Sequence, residues 1–483
     1  SQRIDEVLSY VQPDVHLYTF LPAGADPLAV TDWSTYLNAA AASGKVVELP
    51  PHALPFSDTI VGFPRVGGGF VGKGYDTLLQ PTFDGHYVEL GDDIDGYIGH
   101  IFANFRIWPT VKQTGSNKAF RSIRGTQAVY HRVWLGSLED YGADGHMIRT
   151  GFSFERFAEI VITGQSQIIT ETDGIQMHGG AGGTFGAEIL IDDRVRFLHC
   201  DAAVHIGGGC GGVYIGSIDV SLCGIGVNVT RGIVDVANRE IFLGPETVLD
   251  VCSNFNLNVE GSAAFRVMLT GTWIASCSNS AAALIRSAPM VDALKPIIHM
   301  VGGRLFNAQG DATQLSGCKL ILDGTEVADN GLDAVAGGHG INAVNAAVEL
   351  YLNGVHFRGT GNATKGYAVN AVAGVTGSIK GCDFATSGQA HINNLSTTLE
   401  VRGNRGWATE ARGQNQIAGL ASSVTFAHGL NGTPLVQITP RTIIGNSAAQ
   451  YWRVTSDATN ITVQANTALN STPWAFNWHA EVP

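Results

Sequence analysis

The sequence predicts an all-β chain wound as a right-handed parallel β-helix, a solenoid closed at its start by a short helix and followed by a small β-sandwich. One short pattern predicts it. Two apolar residues at alternate positions are followed by a polar residue, a Gly, and an apolar residue three further on: Leu320, Leu322, Gly324 and Val327; Leu350, Leu352, Gly354 and Phe357; Val267, Leu269, Gly271 and Ile274; and, shortened, Ile379, Gly381 and Phe384. The bend position extends through Gly164, Asp193, Gly216, Gly244, Gly271, Gly303, Gly324, Gly354, Gly381 and Gly403, at intervals of 21 to 32 residues. Such periods mark solenoids. A further strand is expected after each bend, at 174–177, 203–206, 224–229, 255–259 and 339–344. Two or three short strands per period, with no room for a helix, favour the parallel β-helix. The Asn ladder and fixed short period of a leucine-rich repeat are missing.

Composition agrees. A chain of 483 residues would ordinarily split into about three domains, but a solenoid adds coils instead. Sixty-one Gly against 16 Pro suit many tight turns, and only 15% charged residues suit a large interior. A net charge of −13 without a Lys/Arg cluster argues against nucleic-acid binding. The seven cysteines form no CxxC pair and are odd in number, so buried apolar rungs are expected in place of disulfides or zinc ligands. No cofactor or metal is expected. No apolar run approaches the roughly 18 residues of a membrane span, and no signal peptide is seen. The chain opens at Ser1, not Met, from which loss of an upstream segment is expected.

Along the chain, Ile4, Val7, Leu8 and Val11 follow helical spacing and predict a neck over 3–11 that Pro13 ends, within a linker at 1–25. Asp26 and Pro27 mark a helix start, with Val30, Trp33, Leu37, Ala40 and Ala41 on one face and Ser43 and Gly44 at its stop. That helix would cap the first coil. A strand at 45–51 runs into Pro50 and Pro51, and 67–79 is a Gly-rich turn region. This order resembles the start of pectate-lyase-like β-helix proteins, especially bacteriophage tailspikes that depolymerise polysaccharide. The resemblance is carried by residues 26–80, and the coil register continues it to about 410.

The solenoid is therefore expected over 26–413. From 414 to 483 longer alternating strands follow, at 424–426, 435–439, 450–454, 461–464 and 474–482, which suit a β-sandwich. Trp474, Phe476 and Trp478 share one strand face and are expected in its core. The terminal domain is similar to those that end many tailspikes and tail fibres. The resemblance implies a homotrimer, a sandwich serving trimerisation or carbohydrate binding, a place on the virion with tail or baseplate attachment through an upstream segment, and a bacterial cell-surface polysaccharide as partner.

In a β-helix, equivalent positions on adjacent coils lie about 4.8 Å apart. Glycoside hydrolysis needs two carboxylates, about 5 Å apart for retention or about 6.5 to 9.5 Å apart for inversion. Asp173, ahead of one strand, and Asp201, at nearly the same place one coil later, are the leading pair, with Glu171 and His178 beside the first. The stretch partly resembles polygalacturonases: Asp173 matches the Thr-Asp-Gly element and Asp201 one member of an aspartate pair, but Cys210, between Gly209 and Gly211, stands where that family has His. Asp before Gly also caps turn amides, which is the structural alternative. A second acidic ladder after the bends includes Asp219 and Glu246, with Glu326 and Asp383 arguing for mere solvent exposure.

A third cluster, Tyr130, His131 and Arg132 with Arg121 and Arg124 upstream, offers the base and cation that a polysaccharide lyase requires. Alternation would put Tyr130 and Arg132 on one face and His131 on the other. Trp108, Trp134 and Trp273 are candidate sugar-stacking residues. The preferred reading is a tailspike that cleaves O-antigen or capsule by endoglycosidic hydrolysis at Asp173 and Asp201. The alternatives are a lyase on the same scaffold and a noncatalytic adhesin or tail fibre.

Overall fold

The computed structural model describes residues 12–92, 96–137, 147–180, 186–230, 238–261, 265–278, 283–289, 295–331, 338–359, 366–387, 390–442 and 451–482. The expected neck at 3–11 lies outside them. The chain is a right-handed parallel β-solenoid of about 11 turns. A typical coil runs Gly186–Ile191, Val195–Leu198 and Ala202–Ile206, and the next repeats it as Cys210–Ile215, Ile218–Ser221 and Ile225–Val229. The first two strands of each coil join a 28-strand sheet and the third joins a twelve-strand sheet.

Alternation decides what each strand buries. Ile189, Val213, Ile241, Val267, Ile298, Leu320 and Leu350 lie opposite one another in that order and form one buried interior column. Each such side chain contributes about 1.5–3 kcal/mol relative to exposure. The first coils are filled by rings instead: Phe120 stacks on Phe152 at 5.1 Å, and Tyr130 meets Phe152 at 5.0 Å and Phe102 at 5.4 Å. All seven cysteines are free and buried, and Cys252 and Cys277 face each other across a parallel bridge. Burial pushes the Cys318 and Cys382 thiols up to about 11, so they behave as apolar rungs.

The predicted bends form. Gly271, Gly324, Gly354 and Gly381 have φ of 61, 62, 59 and 62°, left-handed values that glycine adopts without strain, and Asp193 takes 62° in its own copy. Gly216 and Gly244 do not turn left-handed; a Cβ there would come within 2.7 Å of Asp192 Oδ1 and of the Gly216 carbonyl oxygen, so closeness between coils explains them. The corner into the twelve-strand sheet is made without glycine, by His199, Leu222, Val251, Ser276, Asn307 and Asp329, with φ between 50 and 60°.

The single helix expected from Asp26 is two pieces. Asp26 accepts the Leu28 amide at 3.0 Å and starts a 3-10 turn, Pro27–Ala29, but the chain re-extends at Val30. A second start follows, where the Asp32 carboxylate accepts from the Ser34 amide and hydroxyl at 2.9 and 2.6 Å, and the α-helix is Ser34–Ala42. Trp33, Leu37, Ala40 and Ala41 are buried against the first coil.

At the other end, Glu410–Ile417 already pairs antiparallel with Trp474–Glu481, so the antiparallel strands begin four residues ahead of position 414. Leu435–Pro440 completes that sheet, and Ser423–Ala427, Asn460–Ala465 and Trp452–Ser456 form a second. Trp474 and Phe476 are buried with Ile417, Ile461 and Val463, and Trp478 packs at the edge of that cluster.

Candidate active site on the outer face of the twelve-strand sheet

The outward position of the twelve-strand sheet is polar along almost its whole length. The column runs from Arg121 through Ser153, Gln176, His205, Asn228 and Asn258 toward Asn393, with side chains mostly half-buried. Asp173, at the first position of the strand Asp173–His178, reaches Gln176 although strict alternation would separate residues three apart, and the register sets His205 directly opposite Gln176 one coil later.

The result is a connected set. Gln176 Nε2 donates to Asp173 Oδ2 at 3.0 Å, and His205 Nδ1 lies 3.2 Å from the same oxygen. His205 Nε2 is 3.0 Å from Thr230 Oγ1. An ionised Asp173 can only accept, so it fixes the imidazole proton on Nδ1 and leaves Nε2 to accept from the Thr230 hydroxyl. The two side chains are 13% and 18% exposed, enough for a ligand to reach and little enough to strengthen their attraction. Lys118 Nζ donates to Thr150 Oγ1 and Gln176 Oε1, both at 3.2 Å. Burial pulls the Lys118 ammonium below the ordinary lysine value, opposed by the Asp173 carboxylate. A base with a fixed tautomer and an acid primed to release its proton thus share one face.

The other expected residues are placed differently. Asp173 lies opposite Ala202, so Asp201 is one residue out of register; it is exposed, and a Cβ on Gly224 would come 2.9 Å from its Oδ1, so the carboxylate faces the following coil. The two aspartates do not form the stacked pair. Glu171 is held by Arg149 at 3.2 Å and Lys112 at 3.6 Å. Asp219 pairs with Arg196 at 3.3 Å and lies opposite Val248, while Glu246 sits exposed in the turn two residues earlier, so these acids are not paired in register either. His178 lies opposite Glu155, and its Nδ1 is 2.7 Å from the Gly179 carbonyl oxygen. Cys210 is buried, and burial raises its thiol strongly.

Tyr130 corrects the lyase cluster. It is wholly buried in the aromatic interior, burial raises its hydroxyl far above the ordinary tyrosine value, and among the described residues that hydroxyl has no hydrogen-bond partner. His131 is also buried, whereas Arg132 is exposed, because Arg132 takes a left-handed φ of 50° that breaks the alternation. Removing an unpaired buried hydroxyl relieves its desolvation cost. Tyr130→Phe is therefore expected to keep full activity and to melt at the same or higher temperature; a loss of activity with the fold intact would restore Tyr130 to the site.

Trp134 and Trp273 are half-exposed on the 28-strand sheet, opposite Arg106 and Arg304, and half-exposed Trp108 lies one residue past its strand Ile101–Ile107. They do not line the Asp173 set. Lys118 and Gln176 went unassigned in the sequence. The available signal was their spacing: Gln176 lies three residues after Asp173, and Lys118 heads the strand Lys118–Ile123, two coils earlier on the same sheet.

No family model and no curated protein matches this sequence. Among solved structures, the tailspike protein of E. coli bacteriophage HK620 in complex with pentasaccharide aligns with a TM-score of 0.50 at 10% identity, over 99% of this chain and 94% of that one. The A-module of the Azotobacter vinelandii mannuronan C-5 epimerase AlgE6 gives 0.49 at 14%, over 81% and 99%. Tailspike gp49 from Pseudomonas phage LKA1 gives 0.45 at 14%, over 93% of each. At such identities the likeness establishes architecture: this chain has the parallel β-solenoid fold found in the phage HK620 tailspike.

Proposed function

We propose that this chain is a homotrimeric, virion-borne tailspike that binds a bacterial surface polysaccharide, O-antigen or capsule, along the polar face of the twelve-strand sheet and cleaves it at Asp173, His205 and Lys118. The observation that carries this reading is the hydrogen-bonded Asp173–His205 pair, with Lys118 bound to the same Gln176, on an unbroken polar wall. A rigid wall with one coil every 4.8 Å or so suits a repeating polymer.

Hydrolysis by paired carboxylates would require a second acid near Asp173, and Asp201 faces away. Elimination requires one base and one acid. In that reaction substrate displaces the Thr230 hydroxyl from His205 Nε2, Nε2 takes the proton beside a uronic carboxylate, the electron pair becomes a ring double bond, the glycosidic carbon–oxygen bond breaks, and the Lys118 ammonium protonates the leaving oxygen. Elimination therefore fits this set better than the hydrolysis preferred on sequence. Digestion of purified host polysaccharide is expected to release oligosaccharides whose new ends absorb in the ultraviolet as unsaturated sugars. Shortened but non-absorbing products would leave hydrolysis, and an unshortened polymer would leave an adhesin.

A further inference from the structure

On the 28-strand sheet, two outward arginines are matched by carboxylates one coil later. Arg196 pairs with Asp219 at 3.3 Å and Arg304 with Glu326 at 3.1 Å, each pair in direct register. Arg106 is not so matched. Its neighbour one coil later is Trp134, and among the described residues its side chain has no ion pair or hydrogen bond. Its Nε is buried without a partner. The guanidinium lies 4.1 Å from the Tyr75 ring centre and 5.5 Å from that of Trp108, and Trp134 meets Tyr75 edge-on at 6.1 Å. Tyr75 is 61% exposed and Trp134 half-exposed, so the cluster opens to solvent. Asp76 beside it is exposed and forms no ion pair with Arg106, and Arg132, two residues before Trp134, adds a second exposed cation.

An arginine held over rings but lacking an anion is poised to bind a carboxylate through two parallel hydrogen bonds, and the neighbouring ring faces suit the apolar face of a pyranose. In a chain of net charge −13, such a cation stands out against its background. We infer that Tyr75, Arg106, Trp108 and Trp134 form a second glycan site, on a different sheet from Asp173, that takes a carboxylate-bearing sugar, a uronate. This deepens the polysaccharide reading and rests on it for biological context, though not for its test.

The test uses the full chain carrying Asp173→Asn, so that nothing is cleaved, and follows tryptophan fluorescence and binding heat. A hyaluronan hexasaccharide, whose alternate units are glucuronate, is expected to bind at least about tenfold more tightly than neutral maltohexaose, the advantage of one charge-assisted contact. Arg106→Ala should erase that difference, Arg106→Lys should restore it only in part, and Trp134→Ala should weaken both sugars, with unchanged circular dichroism throughout. Free glucuronate should displace the hexasaccharide better than inorganic phosphate at equal ionic strength. Equal affinity for the two hexasaccharides, an Arg106→Ala variant that binds as before, or equal displacement by phosphate would overturn the site. Failure of the cleavage reading would leave each of these comparisons intact.

Discussion

Asp173→Asn is expected to lower the rate of polysaccharide cleavage by about 10²- to 10⁴-fold, the usual weight of general acid–base catalysis, while polymer binding changes little. Asparagine is close to aspartate in shape but carries no charge. It cannot stabilise the imidazolium that forms when His205 takes a proton, and its amide can present a donor to Nδ1 and so reverse the tautomer. Lys118 is affected too, because the Asp173 carboxylate is the group that opposes the downward pull of burial on its ammonium. Cleavage is measured as reducing ends released, binding as retention on immobilised polymer, and circular dichroism checks the fold. Asp201→Asn serves as the contrast: with its carboxylate turned toward the following coil, it is expected to retain activity within a few-fold. Full activity in Asp173→Asn would remove the site from this face.

Phe152→Ala should give the largest loss of stability of any single side chain considered. The ring is fully buried and touches Phe120, Tyr130 and Phe154 at centroid distances of 5.1, 5.0 and 6.0 Å. Truncating a buried phenylalanine costs about 3–5 kcal/mol, and here two coils share the cavity. Because each coil's strands pair only with those of adjacent coils, the damage stays local. Hydrogen exchange should show early loss of protection at Lys118–Ile123 and Thr150–Glu155, with Lys319–Asp323 and Glu349–Asn353 keeping theirs. Uniform loss along the chain would contradict a nearest-neighbour solenoid. By comparison Trp273→Ala, at a side chain 43% exposed, should cost far less.

The coil register was legible because backbone chemistry wrote it: a left-handed bend selects glycine, so Gly271, Gly324, Gly354 and Gly381 mark the repeat directly. The corner into the twelve-strand sheet left no such mark. Histidine, leucine, valine, serine, asparagine and aspartate all occupy it, because the stacked coils impose the left-handed conformation whatever the side chain. The antiparallel strand at Glu410–Ile417 escaped notice for a related reason. Its sequence is almost wholly polar, and only pairing with Trp474–Glu481 defines it.

The site was half legible. Asp173 stood out as an acid at a strand start. Whether its partner would be Asp201 or His205 turned on one residue of register, and in a strand one residue moves a side chain to the opposite face. The Tyr130 cluster failed at a single local event, the left-handed turn at Arg132: Tyr130 and His131 are both buried and only the arginine reaches solvent. Lys118 belongs to a coil three turns away from His205, and no motif spans that distance in the sequence.

The central claim is that coil stacking makes Asp173 and His205 one proton-transfer unit. A double-mutant cycle on cleavage rate measures this directly. If the pair acts together, His205→Ala alone and Asp173→Asn with His205→Ala should cut the rate to nearly the same level, the second change adding almost nothing to the first. If the two losses multiply, each residue works by itself and the proposed unit does not exist.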